Sequence, residues 1–193
     1  MSPKKRSLGL RTRENKAVFM DRDGVIIKEV NYLSRVEDMT VIPGVADAIA
    51  KLREAGFKAI VISNQSAVAR GLLSLSGLKE ITRVLRADLL RQNLAAKLDA
   101  VYYCPHHPDF DKSCACRKPE IGLILKAQKK FNIDLKSSYF IGDSSADILA
   151  ARKAGCVPLL VRTGKAGKDG LYREKPQKTF KSFSEAVSWV LRR

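Results

Sequence analysis

The chain reads as an α/β protein, a three-layer Rossmann-like arrangement in which a parallel sheet is covered by helices on both faces. Three observations predict this. Short apolar runs recur along the sequence, longer segments between them carry apolar residues at helical spacing, and polar or acidic residues gather where the apolar runs end. Strands alternating with helices give a parallel sheet, because each crossover must return the chain to the same end of the sheet.

Ala17 to Met20 is apolar at every position, as expected of a strand buried on both faces. It ends at Asp21, Asp23 and the turn-favouring Gly24. Val25 to Val30 is expected to continue as an extended flap, followed by an irregular polar stretch through Thr40. Pro43-Gly44 opens a helix bearing Val45, Ile49 and Leu52 on one side, and Gly56 closes it. Phe57 to Ile62 is the second strand, ending at Ser63, Asn64, Gln65 and Ser66. A loop through Arg70-Gly71 leads to a longer helix from about Leu78, with Ile81, Leu85 and Leu89 on one face. Asp99 to Tyr103 is the third strand and runs into a loop rich in cysteine and histidine. Pro119 is expected to start the next helix, with Ile121, Ile124, Gln128 and Phe131 along one side. Tyr139 to Gly142 is the fourth strand, ending at Asp143, and its following helix holds Asp147 and stops near Gly155. Val157 to Val161 is the fifth strand, and Ser184 is expected to cap a final amphipathic helix.

A chain of 193 residues with 45% hydrophobic and 29% charged residues suits one domain over 16–193, preceded by a basic, disordered arm over 1–15. No apolar run approaches membrane-spanning length, and Lys4-Lys5-Arg6 is not followed by the apolar stretch a signal peptide needs. The chain is therefore expected to stay in the cytoplasm, as a monomer with no membrane partner. The formal net charge of +16 raises a nucleic-acid reading. The charge concentrates in Met1 to Lys16 and in Lys165 to Lys181, a stretch expected to be a mobile Gly- and Lys-rich loop. Neither segment interleaves the aromatics that a base-stacking surface uses. Attraction of small anions to a phosphate site is preferred over nucleic acid.

In an open parallel sheet, ligands bind at the C-terminal strand ends, so the acids there form a candidate site. A carboxylate that attacks a phosphate dianion meets like-charge repulsion, which a divalent cation and a fixed positive side chain must offset. Asp21 can be the nucleophile, Asp21 and Asp143 can hold Mg2+ through hard oxygen ligands, and Lys118 can supply the positive charge. Cys104, His106, Cys114 and Cys116 offer four soft ligands for tetrahedral Zn2+. A full protein ligand set leaves no open position, so that metal is expected to be structural. Cys156 stands apart as a small core residue.

These motifs resemble those of the haloacid dehalogenase superfamily of phosphatases. Its pattern is an Asp-x-Asp on the first strand, a Ser or Thr ending the second, a Lys before a later helix and an acidic pair after the fourth. Here the matching residues are Asp21 and Asp23, Ser63, Lys118, and Asp143 with Asp147, so the resemblance spans Ala17 to about Val161. The intervals leave no room for the cap domain that many members insert. Within the superfamily, DRDG at 21–24, NQS and ARG at 64–71, YYCPHHP at 102–108, CACRKP at 114–119 and VRTGK at 161–165 are most similar to the heptose-bisphosphate phosphatase family. The histidinol-phosphate phosphatase family shares DRDG, a zinc loop and CRKP, and is the alternative. An alternative of another class is a zinc-stabilised nucleic-acid-binding protein that has lost catalysis.

The resemblance implies that Asp21 forms an aspartyl-phosphate and that Asp23 serves as acid and then base, with its carbonyl joining the Mg2+ shell. It implies that Ser63 and Lys118 hold the phosphoryl group, and that Arg22, Glu29, Val30, Asn31, Tyr32, Asn64, Gln65, Ser66, Arg117 and Ser144 contact the substrate. Asp147 could orient Lys118 or a metal-bound water, or merely suit the helix dipole as a first-turn acid. The sequence departs from the family at Ser63, where Thr is more common, at Val25 and Ala67, and at Ser144, where a Lys is frequent.

Overall fold

A computed structural model describes residues 14–111 and 113–193, which form one six-stranded sheet in the order β3-β2-β1-β4-β5-β6, every neighbouring pair parallel. The strands are β1 (Ala17–Met20), β2 (Lys58–Asn64), β3 (Ala100–Cys104), β4 (Tyr139–Gly142), β5 (Val157–Val161) and β6 (Lys178–Phe180). Between them run α1 (Val45–Glu54), the short α2 (Ser66–Ala69), α3 (Leu75–Gln92), α4 (Gly122–Phe131) and α5 (Ser145–Ala154), with α6 (Phe183–Val190) at the end.

Alternation along the strands divides the core in two. Val18, Met20, Val61 and Ile141 face α1, α3 and α6, whereas Phe19, Ile60, Ile62 and Phe140 face α4 and α5. Phe19 and Phe140 stack across β1 and β4, their ring centroids 6.3 Å apart. A strand buried from both sides can carry no polar residue, which is why β1 reads as an unbroken apolar run. The chain leaves β1 toward β2 on one side and later returns to place β4 on the other, so the strand order reverses at β1. A crevice opens at such a reversal, beyond the carboxyl ends of the two strands.

Several expectations need correction. The helix expected from Pro119 starts at Gly122, because the backbone of Lys118 is first held by Asn64, whose Oδ1 accepts from Lys118 N at 3.0 Å and whose Nδ2 donates to Lys118 O at 3.1 Å. The last helix is capped by Ser182, whose hydroxyl accepts from Glu185 N, and not by Ser184. Part of the supposed mobile loop, Lys178 to Phe180, is the edge strand β6. The flap at 25–30 is coiled at its start: the amides of Ile26 and Ile27 both donate to Arg22 O. The basic arm expected over 1–15 lies outside the described residues through residue 13, but Asn15 is tied to the body by a backbone hydrogen bond from its N–H to Asn132 O. Among the described residues, the segments 21–44 and 105–121, where a cap could have been inserted, are loops with one short 3-10 turn at Val36–Asp38.

Candidate active site

A cleft of about 490 Å³ lies over the carboxyl ends of β1, β2 and β4, and Asp21, Asp23, Lys118 and Asp143 all line it. Lys118 is the centre of charge. Its side chain is 2% exposed, and its Nζ lies 3.0 Å from Asp21 Oδ1 and 2.6 Å from Asp147 Oδ1 while donating to Ile62 O at 2.8 Å. Burial works against the ammonium, but Asp147 and Asp21 on either side outweigh it and raise the Lys118 pKa. A buried cation with two carboxylates and a carbonyl is fixed in place and stays charged.

Asp147 stands in the first turn of α5, fully buried. Its Oδ2 accepts from the N–H of Asp143 at 3.2 Å, the N–H of Ser144 at 3.1 Å and the Ser144 hydroxyl at 2.6 Å. Ser144 in turn accepts from Asp147 N, so the two close a capping box. Of the roles open to Asp147 from sequence, the geometry selects the orientation of Lys118. A side chain at Gly142 would collide with Asp147, so the close approach of β4 to α5 requires a glycine there.

Asp21 and Asp143 are left with more negative charge than Lys118 can balance. Burial, with Asp147 and Asp21 nearby, pushes Asp143 up to about 8. Burial likewise raises Asp21 to about 6 against the opposing pull of Lys118. The carboxylates of Asp21, Asp143 and Asp147 lie within 4.8 Å of one another. Around Asp143, Gly24 and Gly164 approach so closely that a Cβ on either would strike its carboxylate, and Lys165 N donates to Oδ2 at 2.6 Å. Asp143 is thus aimed by backbone alone, and its oxygens and those of Asp21 form a hard, electron-rich pair suited to a small divalent cation.

Asp23 lies on the same side of the chain as Asp21 and is the better partnered. Arg22 donates to it through Nη2 at 2.9 Å and Nε at 3.2 Å, and Gln65 Nε2 donates at 2.7 Å. Arg22 is 1% exposed, faces the Tyr103 ring and donates to Gln65 Oε1, so its guanidinium positions Asp23 while the residue also lines the cleft. Gln65 is 4% exposed and also reaches Ser63 Oγ at 3.0 Å; it too holds the acids and Ser63 in register. Ser63, the next-to-last residue of β2, stands beside Asp21, and its hydroxyl works against the rise in that acid's pKa.

The remaining expected contacts fall around the same cleft. Glu29, Val30, Asn31, Tyr32, Asn64, Ser66, Arg117 and Ser144 line it. Arg117 is held by Ser66 Oγ at 3.0 Å and His106 O at 2.9 Å. Ser144 is committed to Asp147, so the ammonium frequent at this position has no hydroxyl substitute free to reach a ligand. What the sequence reading missed is a third wall. Lys165, Asp169, Leu171 and Tyr172, from the segment taken as a mobile basic loop, line the cleft because Asp169 accepts from Ser145 N at 3.1 Å and Tyr172 N donates to Ser145 Oγ at 3.1 Å. The available signal was position: Thr163, Gly164 and Lys165 follow the carboxyl end of β5.

Beside Arg117, the sulfurs of Cys104, Cys114 and Cys116 and Nδ1 of His106 gather within 4.8 Å of one another. The separations are 3.6 Å for Cys104–Cys114, 3.4 Å for Cys114–Cys116, 2.9 Å for Cys104–Cys116, 3.3 Å for His106–Cys116 and 3.7 Å for Cys104–His106. A tetrahedron of sulfurs about 2.3 Å from a zinc ion has edges of about 3.7 Å, so the donor set suits such a metal, with the sulfurs of Cys104 and Cys116 standing closer together than that edge. Burial opposes the Cys114 thiolate, yet N–H groups of Cys116 and Arg117 help bring that thiol down to about 7.

Residues 115–186 match the family model described as HAD-hydrolase-like. The chain is 38% identical over 160 residues to a D-glycero-beta-D-manno-heptose-1,7-bisphosphate 7-phosphatase of Yersinia pestis, a match covering 80% of this chain and 84% of the relative. It is 42% identical over 156 residues to the D-glycero-alpha-D-manno-heptose-1,7-bisphosphate 7-phosphatase of Photorhabdus laumondii, covering 77% and 84%. Among solved structures it is similar to the D,D-heptose 1,7-bisphosphate phosphatase from B. bronchiseptica complexed with magnesium and phosphate, with a TM-score of 0.82, 31% identity and coverage of 92% of this chain and 98% of that one.

Proposed function

Since the chain belongs to the haloacid dehalogenase-like hydrolases, in their family of D-glycero-D-manno-heptose-1,7-bisphosphate 7-phosphatases, we propose that it removes the 7-phosphate of that sugar bisphosphate through an aspartyl-phosphate. The observation that carries the chemistry is the position of Lys118 between Asp21 and Asp147 at the mouth of β1. It keeps the nucleophile close to a fixed positive charge, which lowers the cost of bringing a second anion alongside.

In the first step an Asp21 oxygen bonds to phosphorus, the bond from phosphorus to the sugar oxygen breaks, and Asp23 gives that oxygen a proton. In the second, Asp23 takes a proton from a water that attacks the aspartyl-phosphate, which releases phosphate and restores the Asp21 carboxylate. Arg22 and Gln65 keep Asp23 facing the leaving oxygen, and Ser63 holds a phosphoryl oxygen. Asp21, Asp143 and the Asp23 carbonyl would hold Mg2+, which when bound offsets the charge of both phosphate and nucleophile. Cys104, His106, Cys114 and Cys116 would hold a structural Zn2+ that stiffens the loop leading to Arg117.

The test is phosphate release from the β and α anomers of the heptose 1,7-bisphosphate and from histidinol phosphate, each with Mg2+. The reading expects the highest kcat/KM on one of the two bisphosphates. A preference for histidinol phosphate would replace it with the alternative, and no release from any of the three would overturn phosphatase activity at this site. Relatives named for both anomers leave the choice between them to the same measurement.

A further inference from the structure

Away from the buried charges, one side chain joins two loops that are distant in sequence. Arg70 follows the short helix α2, and its guanidinium carbon lies 5.1 Å from the centroid of the Tyr32 ring and 5.0 Å from that of Phe110. Tyr32 belongs to the loop after β1, and Phe110 to the loop between His106 and Cys114. Phe110 in turn packs on His107 at 5.8 Å, and both Tyr32 and His107 line the cleft. A contact path therefore crosses from one wall of the cleft to the other through a single planar cation.

The hold is mainly through ring faces. Arg70 Nη2 approaches Asp109 Oδ2 only to 3.9 Å, and Nε is buried without a hydrogen-bond partner. A guanidinium stacks on aromatic faces and is attracted by the ring quadrupole, whereas an ammonium offers no flat face. Tyr32 adds an independent sign that something must fix this loop. Its φ is +55°, a left-handed conformation that a bulky residue keeps only where its surroundings hold it. Yet Tyr32 is 39% exposed and Phe110 55%, so neither ring is fixed by burial in the core.

We propose that Arg70 is a positioning residue for substrate selection: by joining Tyr32 to the Phe110–His107 pair it fixes the outer wall of the cleft, where the part of the substrate remote from the transferred phosphate rests. The choice of substrate in this inference rests on the sugar-bisphosphate reading; the joining of the two loops does not.

Arg70→Ala is expected to raise KM for the heptose bisphosphate about tenfold with kcat within about twofold, while leaving kcat/KM for p-nitrophenyl phosphate, which needs only the reacting end, unchanged. Arg70→Lys, with charge but no planar fork, recovers part of the loss. In the absence of substrate, amide hydrogen exchange in Arg70→Ala should quicken over both 30–33 and 107–111. Wild-type exchange in either loop, or equal losses on the two substrates, overturns the proposal. If the wild-type protein is inert on the heptose bisphosphate, the functional reading fails, and the exchange measurement alone decides whether Arg70 ties the loops.

Discussion

The two ends of the cleft are built in opposite ways. At the reacting end, Lys118 and Asp147 are 2% and 0% exposed and paired with each other at 2.6 Å; the acids and Ser63 are carried by strand ends or the first turn of α5, and Lys118 by a loop whose backbone Asn64 holds at both N–H and carbonyl. At the outer end, Tyr32, Phe110 and Leu171 are 39%, 55% and 67% exposed and stand on loops held by ring contacts, by a cluster of three cysteines and one histidine, and by hydrogen bonds to Ser145. The difference follows from what each end must do. Charges that act on a phosphoryl group need low dielectric and no freedom of position. A surface that selects a sugar needs shape, which loops supply without disturbing the core.

The sharpest break in this comparison comes from the nucleophile. Asp21→Asn keeps the size of the side chain and its place beside Lys118 but removes the attacking carboxylate. Turnover should fall by roughly 10⁴-fold or more on every phosphate ester, with the fold intact by circular dichroism. Residual turnover near the wild-type rate would place the chemistry elsewhere. Next in size is Asp147→Asn, which leaves Lys118 buried with one carboxylate instead of two. Removing one member of a buried pair costs about 3–5 kcal/mol, and for a chain of this size each kcal/mol is worth about 2–4 °C. A fall in Tm of about 10 °C is expected, together with a drop in kcat of about 100-fold that affects large and small esters equally. A change confined to KM would mean that Asp147 belongs functionally to the outer end.

The same contrast explains which parts of the molecule are legible in the sequence. The reacting end is legible because β1, β2 and β4 are apolar on both faces, so each strand end, and the acid or serine standing there, is marked by the abrupt loss of apolar residues. Lys118 is legible as a charge that the acids require, although its second partner, Asp147, is ambiguous because a first-turn acid also suits a helix dipole. The positioning contacts of Arg22 are not legible for a physical reason. Sequence gives its place next to two acids but not the turn of its guanidinium back onto Asp23 and Gln65. The outer end is the least legible. Lys165 to Tyr172 has no periodicity, and its placement depends on two hydrogen bonds to Ser145. Strand β6 has only three residues, with a graded exposure set by its place at the sheet edge, inside a run of charge that hides it.

Cys116→Ser sharpens the comparison from the outer end. It removes one of four soft ligands, and elemental analysis should show zinc falling from about one per chain to a small fraction. The expected result is a lower Tm and a several-fold rise in KM for the bisphosphate, because the loop that presents Arg117 and Phe110 loses its anchor, while p-nitrophenyl phosphate turnover changes little. An equal loss on both substrates would show that the two ends are mechanically one.

The smallest expected effect concerns pH and separates the ends by charge. Asp143 at about 8 and Asp21 at about 6 both lie above the ordinary carboxylate value of 3.8 in the folded chain. Without a cation, the folded protein therefore keeps protons that the unfolded chain has released. The stability these groups contribute is fully present below about pH 4 and is lost as pH rises, first through the Asp21 value and then through that of Asp143. A bound Mg2+ replaces those protons and restores what is lost, so the gain in Tm on adding saturating Mg2+ should be larger at pH 8 than at pH 6. Calorimetry in buffers of different ionisation enthalpy should also register proton release on Mg2+ binding, greater at pH 6 than at pH 8. Asp143→Asn should abolish most of both signals, and Cys116→Ser should leave them as they are, since the cysteine and histidine donors form a cluster separate from that of Asp21, Asp143 and Asp147. A pH-independent gain would mean that the buried acids are already neutralised without the metal, and the electrostatic contrast between the two ends would then have no basis.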